Sequence, residues 1–128
     1  MTPTTYMEKA LRALAGARVL LDADDSEGAC SRAYYAMFDA ARAALIAVEA
    51  EGAQESTKTH RGLIAAFGKH LVLTGCVDAE LGRCFNKVQG LRMMADYVGE
   101  PLSREDAAWA IVQAEIFIQT LQERIVAP

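Results

Sequence analysis

One long amphipathic segment, residues 27–50, constrains the fold of this chain more than any other feature. Its apolar residues recur at helical spacing in one stripe, which contains Cys30, Tyr34, Met37, Ala41, Leu45 and Val48. A second stripe is polar and aromatic, and contains Arg32, Tyr35, Asp39, Arg42 and Ile46. The pattern predicts a long helix with two uses, because a helix with a wide apolar face can pack into a core and present its other face to a partner or a cleft.

Four further segments have the apolar periodicity of helices, at about 6–21, 60–74, 78–97 and 104–125. Alanine is abundant and favours helix, whereas the β-branched runs expected of strands are missing. Short turns between long amphipathic helices favour antiparallel neighbours. The sequence therefore predicts an all-α, up-and-down bundle of four to five helices that forms a single domain over residues 1–128.

Polar residues indicate where the helices begin. Thr5 fits the first position of a capping box, and Ser26 is a suitable N-cap for the second helix. Ser103 resembles the first position of another capping box, in front of the last helix. The polar stretch 52–59 contains no large hydrophobic residue, so it is predicted to be a mobile loop.

Composition limits the classes of function. The chain has a formal net charge of −4 and a pI of about 5.1, so it does not attract nucleic acid or anionic lipid by bulk charge, although a local basic cleft is compatible with these values. Its three cysteines include no CxxC pair, no leader-like segment opens the chain, and charges interrupt every long apolar stretch. We expect a reduced, cytoplasmic protein that does not enter membranes.

The polar stripe of the second helix is the first candidate site. Arg32 and Asp39 lie two turns apart, roughly 10 Å along the axis, with Tyr35 between them and Arg42 one turn beyond. Arginine binds phosphate or carboxylate through its planar fork of donors, and a neighbouring ring can stack on a base. The alternative interpretation is a solvated or interhelical face with an Asp39–Arg42 ion pair.

A second cluster, Arg92, Asp96 and Tyr97, ends the fourth predicted helix. It is either a ligand site or an Arg92–Asp96 ion pair with an aromatic residue at the edge of the core. His60 and His70 match no zinc-ligand spacing with the cysteines, and cap or surface roles account for them, so we expect no metal and no cofactor. The chain contains no phosphate-binding glycine loop and no nucleophile triad, so these residues alone do not name an activity.

Residues 31–42, Ser-Arg-Ala-Tyr-Tyr-Ala-Met-Phe-Asp-Ala-Ala-Arg, resemble the signature helix of small prokaryotic HEPN-domain proteins. Two more segments agree in order: Thr-His-Arg-Gly-Leu-Ile at 59–64 is similar to the opening of the family's third helix, and Leu-Arg-Met-Met-Ala-Asp-Tyr at 91–97 to its fourth. The resemblance covers roughly residues 5–125. It implies a bundle of four or five helices that commonly forms homodimers.

The resemblance also carries functional expectations. Many family members are encoded beside a minimal nucleotidyltransferase and act with it as a toxin–antitoxin pair. Others are metal-independent ribonucleases, in which an Arg and a His on one helix meet their counterparts across a dimer cleft. Here Arg32 matches the Arg, but Asp39 stands where the His is expected. An ionised aspartate repels RNA phosphates and exchanges protons poorly near neutral pH, so little RNA cleavage is expected.

The sequence thus leads to one main functional hypothesis and two alternatives. The main hypothesis is a homodimeric component of a toxin–antitoxin or defence module, partnered with a minimal nucleotidyltransferase and binding nucleotide or RNA. The residues expected to bind the nucleotide or RNA are Arg32, Tyr35, Arg42, Arg92 and Tyr97. The first alternative is an active metal-independent ribonuclease toxin in which Arg32 and Asp39 are catalytic. The second is a structural partner that binds no ligand.

Overall fold

The computed structural model describes residues 2–98 and 101–126, without the side chains at positions 54, 56, 97 and 98. Its helices are α1 (Pro3–Asp22), α2 (Ser26–Ala47), α3 (Ala53–Ser56), α4 (His60–Phe67), α5 (Ala79–Met93) and α6 (Arg104–Arg124). A turn of π-helix extends α4 over Gly68–Val72, and another extends α5 over Met94–Val98. These described residues contain no strand, which confirms the predicted all-α class.

The predicted helix starts are partly wrong. The side chain of Thr2 accepts a hydrogen bond from the Thr5 amide at 3.1 Å, so α1 begins with Pro3 and places Thr5 inside the helix. Proline suits the first helical position, because its missing N–H would have no partner there. The N-cap of α2 is Asp25, and the predicted cap, Ser26, is the first residue of the helix. Ser103 caps α6 as predicted, with its hydroxyl accepting from the Asp106 amide at 3.0 Å.

Part of the stretch predicted as a loop, 52–59, is helical instead. Gly52, with φ of +75°, turns the chain into α3. The Thr57 hydroxyl then donates to the Ala53 carbonyl over 2.7 Å. Both Ala53 and Thr57 are buried, so local hydrogen bonds and packing order a segment that contains no large hydrophobic residue.

Helix α2 lies at the centre of the bundle, in contact with α1, α4, α5 and α6. Its predicted apolar stripe is buried from Cys30 to Leu45, whereas Val48 lies beyond the last turn and is 38% exposed. Within the core, the rings of Phe67, Phe85 and Phe117 pack together, with centroids 5.1 to 5.9 Å apart. These contacts join α4, α5 and α6, and such aromatic pairs each contribute about 0.5–1.5 kcal/mol beyond area burial.

The polar stripe of α2 lies between two neighbouring parts of the bundle, and Arg32 and Tyr35 are its exposed residues. A three-residue turn, 23–25, connects α1 to α2, so the two helices run antiparallel and in close contact. On the other flank, α4 and α5 pack against α2. No helix among the described residues has the length and apolarity needed to cross a membrane.

Candidate functional site

A cleft of about 430 Å³ lies between α1 and α2, and we call it the α1–α2 cleft. Helix α2 contributes Arg32, Tyr35, Phe38, Asp39 and Arg42 to its lining, and α1 contributes Lys9, Arg12 and Ala13. Four of the predicted site residues, Arg32, Tyr35, Asp39 and Arg42, therefore line one cleft, because helical spacing places them on one face.

The cleft is strongly cationic although the chain as a whole is acidic. Lys9, Arg12, Arg32 and Arg42 surround the single carboxylate Asp39, whereas the formal charge of the chain is −4. Sequence reasoning missed Lys9 and Arg12. Their spacing places them on one face of α1, but nothing in the local sequence shows that this face adjoins Arg32. The local excess of positive charge can attract an anion that the net charge would repel.

The guanidinium of Arg32 lies against α1 at Gly16. A Cβ atom added to Gly16 would lie 3.3 Å from Arg32 Nε and 3.4 Å from Nη2. The absence of a side chain at Gly16 thus lets the guanidinium approach the α1 backbone while the residue remains exposed. Since a guanidinium offers several donors in a fixed plane, this placement suits it to bind a phosphate at the cleft mouth.

Asp39 is only 6% exposed, so it does not lie on a solvated face. Burial raises the pKa of its carboxyl, and the opposing effects of Lys9, Arg42 and Arg32 do not cancel this rise. The predicted Asp39–Arg42 ion pair is present but long, with Oδ1 and Nη1 4.0 Å apart. Asp39 therefore holds a proton to a higher pH than a free aspartate does.

Aromatic rings hold Arg42. Its Cζ atom lies 5.1 Å from the ring centroids of both Tyr6 and Phe38, and its Nε finds no hydrogen-bond partner among the described residues. Tyr35 differs from these rings because it is 36% exposed. It contacts the Tyr34 ring edge-on with centroids 5.4 Å apart, and its exposed surface leaves part of the side chain open to a ligand.

Of the other two predicted binding residues, Arg92 does not line this cleft. Arg92 is 9% exposed, and its Cζ lies 5.0 and 5.6 Å from the ring centroids of Tyr34 and Tyr35. Its Nη1 is 3.3 Å from Asp96 Oδ2, so the ion pair weighed in the sequence is present. Tyr97 was also predicted to bind, and its side chain lies outside the described part of the structure.

The cap or surface role predicted for His60 is wrong. The cap of α4 is Thr59, and His60 is partly buried against α2. Its Nδ1 is 2.7 Å from the hydroxyl of buried Tyr34, and its ring contacts Phe38 with centroids 5.1 Å apart. Burial and the nearby positive charge of Arg92 lower the pKa of His60. The available signal was Tyr34 in the apolar stripe of α2, because a buried tyrosine hydroxyl needs a polar partner.

Metal chemistry gains no support from the described residues, since they contain no group of three or more His, Cys, Asp or Glu placed to hold an ion. The arrangement instead offers the cations of the α1–α2 cleft and the exposed ring of Tyr35. Asp39 and His60 beside them have shifted pKa values. Such a set is suited to binding a phosphate-bearing aromatic ligand.

Comparison with known proteins gives the same family. The sequence model described as HEPN domain matches residues 4–125. A UPF0332 protein of Gloeobacter violaceus is 37% identical over 127 residues, which are 96% of this chain and 97% of that protein. A protein of Methanocaldococcus jannaschii named as a candidate toxin is 31% identical over 88% of this chain and 80% of its own length. A second protein of that organism with the same kind of name is 27% identical over 94% of this chain and 80% of its own length.

Proposed function

Since the chain belongs to the HEPN domain family, we propose that it is an RNA-binding component of a toxin–antitoxin-type module. Two similar proteins named as candidate toxins support the type of module. The observation that carries RNA binding is the α1–α2 cleft, in which four cationic side chains converge beside an exposed tyrosine.

The cleft provides contacts for both parts of a nucleotide. Arg32 and Arg42 offer planar donors to phosphate oxygens, and Lys9 and Arg12 add charge from the opposite wall. The exposed ring of Tyr35 offers a stacking surface for a base, a contact worth about 1–3 kcal/mol in other proteins. Because the cations outnumber the single carboxylate, the local field favours an anion.

The family also supports two proposals about partners. Two copies associate across the polar face of α2, so that each Arg32–Asp39 face lies beside that of the other copy. A minimal nucleotidyltransferase is the second partner. Light scattering at micromolar concentration tests the first proposal, with a dimer as the expected result and a monomer at every concentration against it. Co-purification with a nucleotidyltransferase encoded beside the gene tests the second.

Fluorescence anisotropy with a labelled single-stranded RNA tests the binding function. We expect Arg32→Ala to weaken binding and to flatten its dependence on salt, because each phosphate contact on a single strand contributes a slope of about 0.7. Arg83→Ala is a matched control, since Arg83 is an exposed arginine paired with Glu80 and lies outside the cleft lining. Equal affinity of wild type and Arg32→Ala would rule out this cleft as the RNA site.

A second candidate function is metal-independent RNA cleavage, and one observation favours it. Asp39, in the same cleft as Arg32, has a raised pKa, so it is a better candidate for proton exchange than an exposed aspartate. Incubation of RNA with protein in EDTA distinguishes the two functions. Binding without cleavage is the expected outcome, whereas cleavage that both Arg32→Ala and Asp39→Asn abolish would establish the second function.

A further inference from the structure

A second groove lies on the other side of Tyr35, between α4 and α5, and has a volume of about 620 Å³. We call it the α4–α5 groove. Its lining comprises His60, Arg61, Ile64 and Ala65 of α4, and Asn86, Gln89, Arg92 and Met93 of α5. The RNA-binding proposal for the α1–α2 cleft does not use this groove, although two of its lining residues, His60 and Arg92, contact Tyr35 of the cleft.

A ridge of two aromatic rings separates the groove from the cleft. Tyr35 and Phe38 line the cleft. On the groove side, His60 contacts both of them, with ring centroids 5.8 Å and 5.1 Å away. Arg92 lies 5.6 Å from the Tyr35 centroid, also on the groove side. The Tyr35 ring, which we call the Tyr35 ridge, thus has the cationic cleft on one side and the groove on the other.

The groove contains donors suited to a phosphate or a carbonyl oxygen. Arg61 is an exposed cation, and it stands with His60 at the positive N-terminal end of α4. The Tyr34 hydroxyl lies 2.7 Å from His60 Nδ1. In the neutral tautomer in which Nδ1 accepts from that hydroxyl, the other ring nitrogen of His60 carries the proton and acts as a donor.

The wall formed by α5 is suited to bases. Asn86 and Gln89 carry amide groups, which both donate and accept hydrogen bonds. Such groups can pair with the Watson–Crick edge of a base only when that edge is free, as in a single strand. Met93, which is 44% exposed, adds an apolar surface beside them.

From this juxtaposition we propose that the ligand is single-stranded RNA of at least two nucleotides that crosses the Tyr35 ridge. One phosphate binds in the α1–α2 cleft, a base stacks on Tyr35, and the neighbouring nucleotide occupies the α4–α5 groove. This inference rests on the proposed RNA-binding function and specifies its substrate class. A duplex does not fit it, because stacking covers the base faces that Tyr35 would contact and pairing occupies the Watson–Crick edges that Gln89 would bind.

Anisotropy and competition measurements with wild type and variants test the inference. The ligands are a labelled single-stranded RNA 10-mer and unlabelled AMP as a competitor. We expect Arg61→Ala to weaken binding of the 10-mer by about fivefold, the upper range for an exposed charge contact, and to reduce its salt slope by about 0.7. The affinity of AMP for the α1–α2 cleft, obtained from the competition, should not change in that variant. Arg32→Ala should weaken both ligands.

The remaining outcomes separate the two proposals. If Arg32→Ala weakens RNA binding but Arg61→Ala and Gln89→Ala behave as wild type, RNA binds in the cleft alone and the two-site inference fails. An RNA duplex of the same length that binds as tightly as the single strand overturns it as well. If none of these variants changes RNA binding, neither cavity is the RNA site. Absence of RNA binding by the wild type is the result that overturns the proposed function itself. Lys69→Ala controls for charge loss on the α4 side, because Lys69 is exposed and lines neither cavity.

Discussion

The hydroxyl of Tyr34 lies 2.7 Å from Nδ1 of His60 and joins the buried centre of α2 to the first residue of α4. Tyr34 has no exposed surface, whereas His60 is only partly buried. The two ends of this hydrogen bond therefore differ in how easily water can replace the lost partner.

That asymmetry predicts unequal effects of the two truncations. His60→Ala leaves a buried hydroxyl without its partner and should lower the free energy of unfolding by about 1–3 kcal/mol. Tyr34→Phe leaves only a partly exposed imidazole to be solvated, so its effect should be nearer 0.5–1.5 kcal/mol. Urea denaturation of both variants checks the order, and a larger loss in Tyr34→Phe would contradict it.

The lowered pKa of His60 predicts a loss of stability in mild acid. Below the ordinary histidine value of 6.5 the unfolded chain takes up a proton that the folded chain resists. The unfolded state then binds more protons, so stability falls as the pH falls from about 6.5 towards the folded pKa. Unfolding free energies at pH 7.5 and 5.5 should differ less in His60→Gln than in wild type. Identical pH dependence in both proteins would count against this assignment.

The raised pKa of Asp39 acts with the opposite sign. Above its folded pKa the buried carboxylate is charged at a cost, and this cost is relieved as the pH falls through that value. Asp39→Asn should therefore leave stability at pH 7 unchanged or raised, and this gain should shrink in acid. The variant should also bind RNA more tightly, since one negative charge leaves a cationic cleft. A clear drop in Tm at pH 7 would show instead that the contact with Arg42 dominates.

Gly16→Ala separates stability from binding. Alanine favours a helix interior by about 1 kcal/mol over glycine. Its Cβ would lie 3.3 Å from Arg32 Nε, so the guanidinium must shift within the cleft mouth. We expect an unchanged or higher Tm together with weaker RNA binding. Unaltered affinity would mean that the position of Arg32 against α1 is unimportant for the ligand.

Met37 and Arg32 test the two faces of α2. Met37 is fully buried, so Met37→Ala should cost about 2–5 kcal/mol of stability. Arg32 is exposed, and Arg32→Ala should cost under about 0.5 kcal/mol. Melting at several protein concentrations separates these effects from any linked association. Outright unfolding of Arg32→Ala at all concentrations would make Arg32 a structural residue.

The sequence predicts the first residue of a helix reliably only where a single suitable N-cap residue is nearby. Ser103 was predicted correctly because no other capping residue stands just before α6. Thr5 and Ser26 were predicted wrongly, since Thr2 and Asp25 are equally good caps nearby. In α1 the decisive difference is Pro3, which favours a first helical position directly after Thr2.

The sequence by itself determined the all-α class and half of the cleft. The spacing of residues along α2 places Arg32, Tyr35, Asp39 and Arg42 on one face, because helical periodicity is a local property. The tertiary structure decided which partners meet that face: Lys9 and Arg12 from α1, and His60 from α4. It also decided that the pKa of Asp39 is raised, because the pKa of a carboxyl depends on its burial and its neighbours in space, and helical spacing fixes neither.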